Sequence, residues 1–189
     1  MIFEVLQVIT EEVNTYFGTT AIRLENIANV DQQDVESESK GVFLTLLNMK
    51  EEYALKNRTN NEISNTEVSY KNPKVSLNLY LLFSANNSTY KESLKSLAKV
   101  IEFFQGKRIF TQDNTNFKKE DELLNVNNFR FIVDLFTPSF EELNFIWGTL
   151  GGKQYPSVIY KVSLMEIERD AIMKKGTVIL ELETPINNN

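Results

Sequence analysis

The most constraining feature of the chain is the apolar segment VSLNLYLLFSA, which begins at Val75. Leucines and other apolar residues recur at every second position up to Phe83, which is the period of a β-strand. The opposite face carries Asn78, Tyr80 and Leu82, so it is also largely apolar. A strand that is apolar on both faces is covered on both sides, so it is expected to lie in the centre of a sheet.

Two helices are predicted from apolar periodicity on either side of this strand. The opening segment repeats apolar residues at helical spacing between Ile2 and Val13. The second helix starts after Thr89, because Thr89 and Glu92 have the spacing of a capping box. Its predicted apolar stripe consists of Tyr90, Leu94, Leu97, Ile101 and Phe104.

A third helix is predicted after Ser139, which repeats the capping-box spacing with Glu142. Its buried stripe is expected to contain Trp147, the single tryptophan, together with Leu143, Ile146 and Leu150. Gly151 and Gly152 are predicted to end the helix, since glycine adopts the left-handed conformation at low cost. Pro156 is then expected to direct the chain into a strand over residues 157–167.

The remaining segments complete an α/β (α+β) prediction with a mixed central sheet, about three helices and long polar loops. A short strand is expected in the segment TAIRLENIANV, where Ile22, Leu24 and, less cleanly, Ile27 alternate. Further strands are expected from about Val42 and over 129–136. Residues 57–72 are polar, and we interpret them as either a long exposed loop or a hairpin. One domain is predicted over residues 1–169, followed by a C-terminal extension over 170–189.

The C-terminal extension carries a strand-like pattern that a self-contained domain does not explain. Val178, Leu180 and Leu182 alternate with the residues between them after Gly176. Such a strand pairs with a sheet edge, which belongs either to the same chain or to a neighbouring subunit. The pattern leaves both alternatives open.

Composition narrows the classes of function. The chain has no histidine and no cysteine, which excludes Ser-His-Asp and Cys-His sites and ordinary zinc sites. A net charge of −6 disfavours a nucleic-acid-binding protein. No apolar run is long enough to span a bilayer, and the N-terminus lacks the basic flank of a signal peptide, so we expect folding in the cytoplasm without membrane insertion.

Enzyme chemistry would then depend on carboxylates. Asp134, Glu141 and Glu142 would serve a glycan hydrolase only if the fold placed two of them together in a cleft. Gly151 and Gly152 do not form a phosphate site, because they follow a helix C-terminus rather than precede a helix N-terminus. No catalytic, cofactor or metal residue is therefore assigned.

Three stretches taken together resemble a known family. They are KVSLNLYLLFSAN from Lys74, YKESLKSLAKVIEFFQGKRIFTQDNT from Tyr90, and LNFIWGTLGGKQYPSVIYKVSLMEI from Leu143. Their combination is similar to the N-terminal domain of tail cap, or tail terminator, proteins of extracellular contractile injection systems. These are phage-tail-like particles, typified by the antifeeding prophage and the Photorhabdus virulence cassettes.

The resemblance implies a structural protein without catalytic activity. It implies a hexameric ring that binds the sheath protein and the inner tube protein and closes the membrane-distal end of a particle, either released or anchored to a membrane. Within the same machinery, a baseplate or tube-completion adaptor is the alternative. A carboxylate-based glycan hydrolase is the alternative from another class.

Overall fold

The computed structural model describes residues 2–19, 21–32, 40–53, 61–63, 67–71, 75–115, 129–167 and 172–177. The chain divides into two compact units. The first consists of Met1–Glu51 and Leu77–Met165, and the second of Glu52–Ser76 and Glu166–Asn189. The predicted boundary between residues 169 and 170 lies outside the described residues.

The described helices are the three that were predicted, with a short 3-10 helix in addition. They are α1 (Ile2–Phe17), α2 (Tyr90–Gly106) and α3 (Phe140–Thr149), and the 3-10 helix is Ile27–Gln32. Both predicted capping boxes are present at the N-termini of α2 and α3. Each box pairs two backbone N–H groups that a helix start otherwise leaves without a partner, so the two helix starts are fixed by local sequence.

The first unit is built on a six-stranded mixed sheet. Its strands are β1 (Ile22–Leu24), β2 (Gly41–Glu51), β5 (Val75–Asn86), β6 (Ile109–Thr111), β7 (Arg130–Phe136) and β8 (Ser157–Ile167). Their order across the sheet is β1-β2-β5-β8-β7-β6. β1 runs parallel to β2, whereas the pairs β2–β5, β6–β7 and β7–β8 are antiparallel. The predicted α+β class with a mixed sheet and the central position of β5 are confirmed.

The two faces of β5 contact different helices. Phe83 is fully buried and packs against Phe104 of α2, with the ring centroids 5.4 Å apart. Leu82, on the other face, belongs to a buried cluster that includes Trp147 of α3. Helices on both faces explain why the middle of this strand, Leu79 to Phe83, is apolar or aromatic at every position.

The buried face of α2 differs from the predicted stripe. Leu97 and Phe104 are buried as expected, but Tyr90, Leu94 and Ile101 are 70%, 46% and 44% exposed. The residues that α2 buries are Ser93, Leu97, Val100, Phe103 and Phe104. The helix carries two adjacent apolar strips, and helical periodicity alone does not decide which of them meets the sheet.

An ion pair connects the end of α2 with α1. The Lys107 ammonium lies 2.6 Å from the carboxylate of Glu12, which is only 8% exposed. The same ammonium donates a hydrogen bond to the carbonyl of Asn114. Glu12 therefore keeps a cationic partner although it is buried on α1.

The second unit contains a three-stranded antiparallel sheet in the order β3-β4-β9. Its strands are β3 (Asn61–Ile63), β4 (Glu67–Lys71) and β9 (Ile172–Thr177). Of the two alternatives for residues 57–72, the structure has the hairpin. Gly176 lies inside β9, opposite Val68, rather than before the strand as predicted, because pairing with β4 extends across it. Val178, Leu180 and Leu182 lie outside the described residues.

Candidate functional site

The first turn of α3 is held in place by its own capping box. The Ser139 hydroxyl accepts a hydrogen bond from the Glu142 backbone N–H at 3.2 Å. The Glu142 carboxylate accepts one from the Ser139 backbone N–H at 2.8 Å. The helix therefore begins at Phe140, whose side chain is 93% exposed.

Trp147 packs α3 onto the sheet. It is 4% exposed and belongs to a buried cluster with Phe43, Leu82 and Ile159. Its ring lies 6.0 Å from that of Tyr155, which follows α3 and is also buried. The indole Nε1 has no hydrogen-bond partner within the described part of the chain. The contribution of Trp147 is thus apolar burial, of the kind that anchors a helix to a sheet.

The two glycines close the C-terminus of α3. Gly151 and Gly152 have φ values of +100° and +80°, in the left-handed region. The Gly152 N–H donates to the Trp147 carbonyl at 2.7 Å, which is the bond that closes a Schellman-type cap. A side chain at either position would need the same strained backbone, so the cap depends on glycine.

Pro156 lies where the chain returns to the sheet, immediately before β8. Its carbonyl accepts a hydrogen bond from the backbone N–H of Ala85 in β5, at 2.9 Å. Proline lacks a donor but keeps its carbonyl, so it can begin the pairing of β8 with β5. Trp147, Gly151, Gly152 and Pro156 thus lie in one helix-to-strand connection.

Two apolar grooves flank α3. The Phe145 groove has a volume of about 490 Å³. Its lining includes Leu47, Lys50, Tyr80, Phe145 and Ile146. The Phe140 groove has a volume of about 730 Å³. Its lining includes Tyr90, Ile101, Leu135, Pro138 and Phe140.

Phe136 of β7 and Ile159 of β8 line both grooves and face each other across the two strands. The grooves are therefore adjacent, with α3 as the ridge between them. Phe140 and Phe145 are 93% and 64% exposed, and the sequence prediction missed both because they lie off the buried stripe. The sequence did hold a signal for these two residues. Both are phenylalanines on a helix whose buried stripe is already filled by other apolar residues.

The three candidate carboxylates do not form a catalytic pair. Asp134 lies 2.6 Å from the guanidinium of Arg108, and Glu142 is engaged in the capping box. Glu141 is exposed. Among the described residues there is no group of three or more acidic side chains that could hold a metal ion. The arrangement that a glycan hydrolase needs is therefore not made by these residues.

Among the described residues, the titratable group with the most strongly shifted pKa lies in the core rather than in either groove. Burial raises the pKa of Tyr160 to about 12. Its ring lies 4.4 Å from Phe104 and 5.9 Å from Phe83. This tyrosine stays neutral and contributes packing, so it is not a candidate acid or base at neutral pH.

Two solved structures have a similar fold. One is the sheath/tube terminator of an extracellular contractile injection system, PVC, in the extended state, with a TM-score of 0.67 and 12% identity. The other is the anti-feeding prophage cap, a tube-terminating cap, with a TM-score of 0.61 and 12% identity. The matches cover 100% and 96% of this chain but only 64% and 60% of the solved chains.

The other comparisons concern sequence. No curated protein matches the chain. Within the described part of the chain, no helix has the length and apolar character needed to cross a membrane. The family model described as the Pvc16 N-terminal domain matches residues 4–181, and the chain therefore belongs to that family.

Proposed function

We propose that this protein is a structural tail terminator, which forms a ring and caps the membrane-distal end of the sheath and inner tube of a contractile injection particle. The observation that carries the proposal is the similarity of the whole chain to a sheath/tube terminator and to a tube-terminating cap. Membership of the Pvc16 N-terminal domain family supports it.

The surface around α3 fits an assembly role better than a catalytic one. Phe140 and Phe145 expose large aromatic surfaces beside open grooves, while the nearby carboxylates take part in structural contacts or face solvent. Exposed apolar patches of this kind are typical of protein–protein interfaces. The proposed activity is accordingly binding without catalysis.

A ring follows from what a terminator has to do. It binds the last ring of a growing stack and offers no equivalent surface to a further one, so its contacts with its own copies must close. We propose six copies, with the sheath and inner tube proteins as partners and with neither nucleic acid binding nor membrane insertion. Assembly then takes place in the cytoplasm, and the finished particle carries the cap.

The C-terminal extension is proposed to take part by strand addition. Val178, Leu180 and Leu182 would pair with a sheet edge of a neighbouring subunit or of the sheath. Truncation after Thr177 tests this part, because it leaves β9 and its pairing with β4 complete. Unchanged capping by the truncated protein would rule out strand addition by these residues.

The decisive experiment is co-assembly with the tube and sheath proteins of the same particle. The expected result is one ring of this protein at the membrane-distal end of each tube, seen by electron microscopy with a labelled variant. Label at the opposite end would identify a baseplate adaptor instead. Tubes that lack the label at both ends would refute the proposal.

A further inference from the structure

We infer that the first turn of α3, Phe140 and Glu141, docks into the Phe145 groove of a second copy of this chain. This contact is the one that would close the proposed ring, so the inference depends on the proposed function and assigns its self-association to particular residues. Phe140 would be the anchor, and Glu141 would pair with Lys50 of the neighbouring copy.

The shape of the two partners supports this contact. Phe140 is 93% exposed at the start of α3, and the capping box holds that turn in one conformation. The Phe145 groove, of about 490 Å³, offers Leu47, Tyr80 and Ile146 to an aromatic ring. A preorganised aromatic side chain that enters an apolar groove is a common hot spot of protein interfaces.

The charges near the docking turn and in the Phe145 groove indicate that the groove is occupied by another copy of this chain. The side chains of Glu141 and Lys50 are both exposed, and neither side chain makes a hydrogen bond or an ion pair with another described residue. One is an acidic group beside the protruding Phe140, and the other is a basic group that lines the receiving groove. The other charged residue of that lining, Glu142, has its carboxylate engaged in the capping box. The chain thus supplies both halves of a complementary contact, which orients association even where it adds little affinity.

The position of the two halves is compatible with a ring. The docking turn and the receiving groove are different surfaces of the same subunit, so each copy has one of each to offer. Where each copy gives its docking turn to one neighbour and its groove to another, the contact is heterologous and propagates from copy to copy until the rotation closes a ring. A two-fold dimer would make the same contact twice between two copies, so the mass of the assembly in sedimentation experiments distinguishes the ring from the dimer.

The absence of cysteine from the sequence allows a direct test by thiol cross-linking. The variants Glu141→Cys and Lys50→Cys are purified separately, mixed at equal concentration and treated with a short bismaleimide, because the Cα atoms of a Glu–Lys ion pair can lie farther apart than a disulfide spans. The expected product is a cross-linked pair of the two unlike variants, formed at least about tenfold more than either like pair. Lys95→Cys, at an exposed position of α2 that lines neither groove, replaces Lys50→Cys in the matched control.

A second measurement tests the anchor and the charges without cysteine. Phe140→Ala is expected to weaken self-association by about tenfold or more in sedimentation experiments. Glu141→Lys and Lys50→Glu should each weaken it, and the variant that carries both changes should recover most of the loss. Circular dichroism confirms that each variant is folded.

The outcomes separate the docking contact from the function. A ring formed by the unaltered protein, with no preference for the unlike cysteine pair, would overturn the docking contact and leave the terminator role intact. Dominant like pairs, or an assembly no larger than a dimer in sedimentation experiments, would replace the ring-closing contact with a two-fold one. A protein that stays monomeric at all concentrations and in the presence of tube and sheath proteins would overturn both.

Discussion

Substitution by alanine is expected to change the stability of the protein in opposite directions at two glycines, one inside α3 and one after it. Gly148 lies within the helix, and Gly152 lies at its C-terminal cap with φ +80°. A Cβ atom added at either position meets no heavy atom within 4 Å, so steric clash does not distinguish the two sites. The difference comes only from the backbone.

Gly148→Ala should stabilise the protein by about 0.5–1 kcal/mol, because alanine is the better helix residue. At Gly152 the left-handed conformation costs alanine about 1–2 kcal/mol. Alanine also lowers the conformational entropy of the unfolded chain, which stabilises the folded state and offsets part of this cost. Gly152→Ala should therefore destabilise the protein by about 1 kcal/mol. The two variants then differ by about 2 kcal/mol, or about 4–8 °C in Tm for a chain of this size.

Thermal and urea unfolding of both variants beside the unaltered protein would measure these shifts. The urea midpoint should move up for Gly148→Ala and down for Gly152→Ala, with unchanged m-values. Equal shifts of the same sign would show that the αL cap does not determine the stability of this connection. An unaffected Gly152→Ala variant would show that the connection relaxes to another conformation at no cost.

Three further predictions concern local contacts. Thr89→Ala should lower the stability by about 1 kcal/mol through loss of the α2 N-cap, whereas Ser88→Ala beside it should have almost no effect; equal urea midpoints would contradict this. Lys107→Met should cost about 3 kcal/mol, since it leaves the buried Glu12 carboxylate without its cation; a loss below about 1 kcal/mol in urea unfolding would show that water replaces the ammonium. Because burial raises the pKa of Tyr160 from 10.0 to about 12, the unfolded chain loses this proton first, and stability should fall as pH rises from 10 to 12. Tyr160→Phe should show a shallower fall of Tm over that range, and parallel curves would contradict the assignment.

The sequence by itself determined the elements whose signals are local. The capping pairs that begin with Thr89 and Ser139 each satisfy backbone donors three residues away, and the glycines after Leu150 end α3 through their own conformational freedom. The alternation in β5 required a covered strand because both of its faces are apolar. These features need only neighbouring residues, so their prediction does not depend on the rest of the fold.

The tertiary structure alone decided which surfaces meet. It placed the apolar strip of Tyr90 and Ile101 on the exposed side of α2. Phe104 and Phe103 pack on the sheet instead, against Phe83 of β5 and Phe110 of β6. The tertiary structure also decided that the three residues of β6 form a strand, because they pair with β7.

The tertiary structure also brought Phe136 and Ile159 together beneath α3, where they connect two grooves that no sequence pattern indicated. These outcomes depend on contacts between residues far apart in the chain. The free energies of these contacts arise only when the elements pack, so local periodicity cannot predict them.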